Sequence, residues 1–316
     1  MARSTRTGSD ASSSQGKIAS RDASLSRELL RKIRKIEIVT SRKASEQLAG
    51  QYHSVFKGRG MSFDEVRPYQ EGDEIRFIDW NVTARAGDPY VKRFVEEREL
   101  TILLMVDVSA SLRFGTESEE KREAAAMLAG LLAFSAVKNN DRVGLVLFSD
   151  KVERYVPPKK GRKHVLRLLS EILHAEPSGE GTDIGAPLEH LTRVASRKAV
   201  AFLVSDFQSP VPSFLPQLRI AARRHDVVPV VLRDPLERAL PSLGLVPFED
   251  LETGALRWVD SSSAAFRARY QEGNEQALQA LMKTFRRHRI DAISIEPGGS
   301  YDQALHQFFQ LRSKRL

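Results

Sequence analysis

The chain has 316 residues, with 49 Lys and Arg against 41 Asp and Glu for a net charge of +8, and it contains no cysteine. Disulfides, thiolate metal sites and thiol catalysis are thereby excluded. A hydrophobic fraction of 41% beside 28% charge is that of a globular chain, long enough for one large domain and a smaller one.

The charge is uneven. Residues 1–43 hold eleven Lys and Arg and four Asp and Glu, a net of +7, so only +1 of the total +8 falls on the rest. Such an arm suits an anionic membrane surface or nucleic acid. It equally suits a solvated tail running into a helix with a charged outer face, and no aromatic residue interleaves the charges before Tyr52. Residues 1–26 are read as a disordered basic tail, since they offer almost nothing to bury. No apolar segment follows the first positive charges, and apolar runs such as Ile102–Val106 fall far short of the ~20 residues that span a bilayer. A cytoplasmic location is expected.

Leu25, Leu29, Leu30, Ile33, Ile36 and Ile38 recur near helical spacing after Ser24 or Ser26 and predict a first helix. From about 51 to 100, Gly58, Gly60, Gly72 and Gly87 punctuate the β-prone runs QYHSVF, FDEVRPY, IRFIDW and YVKRFVEERELTI. Residues 27–98 are therefore read as a helix followed by a small β-rich module, packed on Phe63, Tyr69, Phe77, Trp80, Tyr90 and Phe94.

Beyond residue 100 strands and helices alternate. Strands are predicted over 101–108, 142–148, 152–156, 199–204, 227–232 and 291–295. Helices are predicted at about 119–138, 162–174, 183–196, 213–225, 262–289 and 301–312, with a hairpin inserted over 241–260 that turns at Glu252-Thr253-Gly254. Repeated strand–helix units predict an α/β domain over 99–316, a mainly parallel, Rossmann-like sheet covered by helices on both faces. Ligands of such sheets bind beyond the carboxyl ends of the strands.

Three segments fall where that rule says to look: Asp107-Val108-Ser109-Ala110-Ser111 leaving the first sheet strand, Gly181-Thr182-Asp183-Ile184-Gly185 in a loop entering a helix, and Ser205-Asp206-Phe207 leaving the strand over 199–204. They supply hard oxygen donors without sulfur or imidazole, a set that suits Mg²⁺ or Mn²⁺. An Asp-x-Ser-x-Ser turn alone also describes an ordinary strand-to-helix turn capped by its own side chains. Asp183 reads as a helix cap, and Asp141 and Asp150 as turn residues. With Asp107 and Asp206 as the charged members, the set neutralises a dication and leaves it able to accept a carboxylate from another molecule.

Together these segments resemble the metal-ion-dependent adhesion site of the von Willebrand factor A family, over roughly residues 99–316. The resemblance implies direct metal ligation by Ser109, Ser111 and Thr182, with Asp107 and Asp206 acting often through water. It also implies that a partner's Glu or Asp completes the coordination.

The stretch before this domain, from Gly58 to Glu99, resembles the signature of the bacterial family known as domain of unknown function 58. Gly58, Gly60, Phe63, Arg67, Tyr69, Gly72, Asp73, Arg76, Asp79, Trp80 and Arg85 carry the match, which runs over about residues 27–316. Members of that family are often encoded beside MoxR-type AAA+ ATPases, so the resemblance implies an ATPase partner. The paired Arg and Asp with a Trp suit a partner-binding surface, or an ion-pair framework that docks the module on the α/β domain.

Enzyme readings find less support. No Walker loop or dinucleotide-binding glycine fingerprint is present, and the seven histidines form no close ligand set. Neither Ser109 nor Ser111 sits in a Gly-x-Ser-x-Gly elbow. A Mg²⁺-dependent phosphatase of the haloacid-dehalogenase kind needs an acid/base Asp two residues after Asp107, where Ser109 stands. The expected function is that of a non-enzymatic, metal-dependent protein-interaction protein.

Overall fold

The computed structural model describes residues 30–44, 46–56, 61–96, 99–113, 115–116, 119–179, 181–249 and 255–315. The basic tail expected over 1–26, the signature residues Gly58 and Gly60, and the hairpin turn at Glu252-Thr253-Gly254 lie outside them.

Six strands make the main sheet: β3 (Thr101–Asp107), β4 (Arg142–Phe148), β5 (Val152–Lys159), β6 (Val200–Ser205), β7 (Asp226–Leu232) and β10 (Ile293–Ile295). Their order is β10-β7-β6-β3-β4-β5, parallel throughout except for the edge strand β5, which runs antiparallel to β4. The chain leaves β3 for β4 on one side and later returns to β6 on the other. The carboxyl end of β3 is thus the topological switch point, where open α/β sheets bind their ligands.

Both faces of the sheet are buried, which is why its strands read as continuous apolar runs rather than alternating ones. Ile102, Leu104 and Val106 of β3 pack with α4 (Lys121–Lys138), α5 (Arg162–Leu173) and α10 (Tyr301–Ser313). Leu103 and Met105 point the other way, toward α6 (Gly185–Val194), α7 (Val211–Arg224) and α9 (Ala264–Arg287). Helix α4 is buried nearly all round, from Ala124 to Ala136. It is alanine-rich because another helix lies close over its outer side. A helix over 30–43, α1, approaches so near that a Cβ on Gly130 would stand 3.1 Å from Thr40 Cγ2.

Residues 51–56, read from sequence as β-prone, are helical and belong to α2 (Glu46–Phe56). Their apolar residues follow the helical period: Leu48, Tyr52, Val55 and Phe56 are all buried in the core shared with the main sheet. Phe56 meets Phe202 of β6 and Phe309 of α10 edge to face, each at a centroid distance of 5.7 Å, and the Arg312 guanidinium lies 4.8 Å over its ring. The first two helices thus form an outer layer of the α/β domain.

The rest of the N-terminal region is smaller and separately hydrogen-bonded. β1 (Met61–Pro68) pairs antiparallel with β2 (Tyr90–Glu96). The run IRFIDW, expected to be β-like, is instead a 3-10 turn over Ile75–Phe77 followed by α3 (Trp80–Ala86). Asp79 explains the difference, because its carboxylate caps α3 by accepting the N–H groups of Asn81 and Val82. Gly87, at φ 86°, closes that helix in the left-handed conformation. Arg67 grips Asp73 with two hydrogen bonds of 2.8 and 2.6 Å, and Asp73 also accepts from Gln70 N. The signature Arg–Asp pair therefore closes the module's own turn, and Ile75 and Trp80 remain exposed beside it.

Between β7 and α9 stand the short helix α8 (Pro235–Arg238) and the expected hairpin, β8 (Leu245–Glu249) with β9 (Leu256–Asp260). One side of the hairpin lies toward α9, with Phe248 against Tyr270. Leu245, Leu256 and Trp258 lie exposed. Among the described residues no helix is long and apolar enough to cross a membrane.

Phe56→Ala is expected to lower the unfolding free energy by about 3–5 kcal/mol in equilibrium urea denaturation, as for other large core truncations.

Candidate metal centre

The five oxygen-bearing residues singled out from sequence fall on three loops around the carboxyl end of β3. Asp107 is the last residue of that strand and has no exposed surface. Its Oδ1 accepts the backbone N–H of Ser109 at 2.9 Å, which turns the chain so that Ser109 and Ser111 bring their hydroxyls within 3.1 Å of each other. Its Oδ2 accepts the hydroxyl of Ser205, the last residue of β6, at 2.7 Å. That bond ties the first loop to the third, and Val108 N ties it to β4 through Phe148 O at 2.8 Å.

Asp206 follows β6 and is almost fully buried. The next residue, Phe207, takes a left-handed φ of 54°, unusual for a bulky side chain. The ring is fixed against Phe214 and Phe285 at 5.7 and 5.6 Å, and its N–H is held by Ser205 Oγ at 3.2 Å. Core packing thus sustains the left-handed turn that follows Asp206, the kind of strain that collects at functional sites. Asp206 Oδ1 accepts Gln208 N at 3.2 Å.

Thr182 is positioned through its backbone. Ser209 donates its hydroxyl to Thr182 O at 3.1 Å, and Asp183 N bonds to Ser149 O at 2.8 Å. The middle loop therefore rests on the ends of both β4 and β6. Gly181, at φ 95°, permits the turn into it. Asp183 accepts the N–H of Gly185, the first residue of α6, at 2.8 Å.

Three contributors were invisible in the sequence. Glu153 of β5 accepts hydrogen bonds from Ser149 Oγ, Ser178 N, Ser178 Oγ and Gly179 N, and so anchors the approach to Thr182. Burial alone would raise its pKa, but these donors hold it below the usual range. Lys121, at the start of α4, has no exposed surface and places its ammonium 3.2 Å from Asp206 Oδ2. The same ammonium bonds to Glu237 of α8, whose other oxygen accepts the N–H of Asp234 at 3.0 Å. Nothing in their spacing announces these residues, because they come from elements distant in sequence.

The donor set fits a hard divalent cation. It comprises two carboxylates, two adjacent hydroxyls and a threonine, oxygen donors of the kind such a cation takes. Among the described residues no three His, Cys, Asp or Glu side chains gather as a metal-binding group, so a cation here would depend on the hydroxyls. Asp107, Asp206 and Glu237 against Lys121 leave a formal net charge of −2, which matches a dication. Burial, aided by the nearby charge of Asp206, pushes the Asp107 carboxyl up to about 7 despite its hydrogen bonds from Ser109 and Ser205.

A six-stranded, mainly parallel sheet of this order, with helices on both faces and loops meeting at its switch point, defines an open α/β domain. The chain belongs to the family described as protein of unknown function DUF58, whose model matches residues 65–280. An uncharacterized protein of Mycobacterium bovis is 34% identical over 228 residues, covering 71% of each chain. Among solved structures, an aerotolerance-related membrane protein from Bacteroides fragilis aligns at 15% identity and a TM-score of 0.45, over 67% of this chain and 99% of its own. A von Willebrand factor type A structure from Catenulispora acidiphila aligns at 10% identity and a TM-score of 0.35, over 71% of this chain and 44% of its own.

The raised pKa of Asp107 has a defined sign. A carboxyl whose folded pKa exceeds its unfolded value near 3.9 stabilises the fold below that value and loses the contribution as pH rises through about 7. In chelator-treated protein, stability measured by urea denaturation should fall across that window, and Asp107→Asn should flatten the fall.

Proposed function

We infer that this protein is a divalent-metal-dependent interaction module that recognises a carboxylate of a protein partner. Asp107, Ser109, Ser111, Thr182 and Asp206 would hold Mg²⁺ or Mn²⁺, with a coordination position left for the partner's Glu or Asp. The observation that carries this reading is the meeting of three separate loops beyond the carboxyl ends of β3, β4 and β6, linked by the Asp107–Ser205, Thr182–Ser209 and Asp183–Ser149 hydrogen bonds. When bound, the metal supplies an electrophilic anchor. The chain's own residues hold its ligands and set the local charge.

Binding rather than catalysis is the role these residues suit. Ser109 and Ser111 face each other, and among the described residues no hydrogen bond joins either hydroxyl to a histidine. Ser109 also stands where a phosphatase of this sheet type needs an acid.

A protein partner is further supported by both tryptophans, Trp80 and Trp258, which are 66% and 64% exposed. Exposed tryptophans beside exposed Ile75, Leu245 and Leu256 are typical of contact surfaces. The family resemblance points to a MoxR-type AAA+ ATPase as that partner, or to the ATPase's client, with the cytoplasm as the place of work.

The test is Mn²⁺ binding, followed by water-proton relaxation, on the wild type and on Asp107→Ala. One site in the wild type that is lost in the variant is the expected result, and equal signals in both would refute it. Partner association should then require Mg²⁺ and survive replacement by Gln of the Lys and Arg residues over 1–43, which removes the arm's charge without deleting α1. A steep salt dependence abolished by those replacements would instead assign binding to the basic arm.

A further inference from the structure

Lys121 is the first residue of α4 and one of the largest fully buried side chains in the molecule. Its ammonium lies between two carboxylates, Asp206 of the candidate metal centre and Glu237 of α8. Glu237 is fixed in turn, because its second oxygen belongs to the capping box that Asp234 forms at the start of α8. Both neighbours therefore hold Lys121 in place, and buried Asp234 stands behind them.

A buried ammonium is poorly explained as packing. A methionine or leucine would fill the same space without the loss of hydration, and buried ion pairs often stabilise a fold no better than such replacements. The position of the charge is the more informative fact, since it rests on a carboxylate offered to a divalent cation.

We propose that Lys121 is a tethered cation that competes with the divalent metal for Asp206, and that Glu237 moderates this competition. The proposal rests on the metal-site reading above and deepens it by naming the residue that sets the affinity. Charge arithmetic gives the two residues opposite effects. Removing the ammonium takes the formal charge of the four groups from −2 to −3, and removing the Glu237 carboxylate takes it to −1. A metal of charge +2 feels the first change as attraction gained and the second as attraction lost.

The experiment is a Mn²⁺ titration by water-proton relaxation on the full chain, comparing wild type, Lys121→Met and Glu237→Gln, with Asp107→Ala as the baseline. Lys121→Met is expected to bind Mn²⁺ about tenfold more tightly than wild type, and Glu237→Gln about tenfold more weakly, given the strength of charge interactions in a partly buried site. An ion pair with only a structural role would give a different pattern, because both substitutions break the same pair and would shift affinity the same way. Weakening in both variants, or no change in Lys121→Met, overturns the proposal. Near-UV circular dichroism reports whether each variant is folded, and Lys121→Gln replaces the Met variant if that one is not. Wild-type binding above baseline without tightening defeats the Lys121 proposal alone. Signals at baseline in every protein defeat the metal reading and this proposal with it.

Discussion

A carboxylate with no exposed surface stands at the end of the central strand, and much of the surrounding architecture serves to make Asp107 tolerable there. An isolated buried charge costs several kcal/mol, while hydrogen bonds to it return about 1.5–3 kcal/mol each. Ser109 N and Ser205 Oγ supply two such bonds. The first shapes the turn that sets Ser109 beside Ser111, and the second fastens β6 to β3 at the place where the sheet divides. The same two contacts that solvate the charge thus assemble the site.

The neighbouring charges extend this arrangement outward. The charge of Asp206 acts on Asp107, Lys121 touches Asp206, and Glu237 touches Lys121. The chain of contacts runs from β6 through α4 to α8, which leads directly into the hairpin bearing Leu245, Leu256 and Trp258. The candidate metal centre and an exposed apolar surface are therefore joined by a short covalent path as well as by an ion pair. The second apolar surface, around Ile75 and Trp80, lies on the small module whose Arg67–Asp73 pair looks inward to its own turn.

Helix α2 shows how local pattern and tertiary context diverge. The run from Gln51 to Phe56 is rich in residues that favour strands, but its burial follows the helical period. Tyr52, Val55 and Phe56 meet the sheet and α10 from one helix face. Propensity is a small term beside the burial of two aromatic rings, so the partner surface decided the outcome. IRFIDW departs for a different reason, the capping of α3 by Asp79, whose donors lie two and three residues on.

The amino-acid sequence by itself determined the α/β alternation, the positions of the sheet strands, the inserted hairpin and which oxygen-bearing side chains stand on the loops near the strand ends. These follow from short-range periodicity and from the rule that open sheets bind ligands at their carboxyl ends, both of which are written in local order. Only the tertiary structure decided that α1 and α2 form a layer over α4, and that Glu153 braces the loop carrying Thr182. It alone placed Lys121 against Asp206, 85 residues away in sequence. In sequence, Lys121 stands in the charged run Glu-Glu-Lys-Arg-Glu and reads as the solvated start of a helix. Its burial depends on where α8 comes to rest, and electrostatic partners brought together by folding leave no period or spacing along the chain.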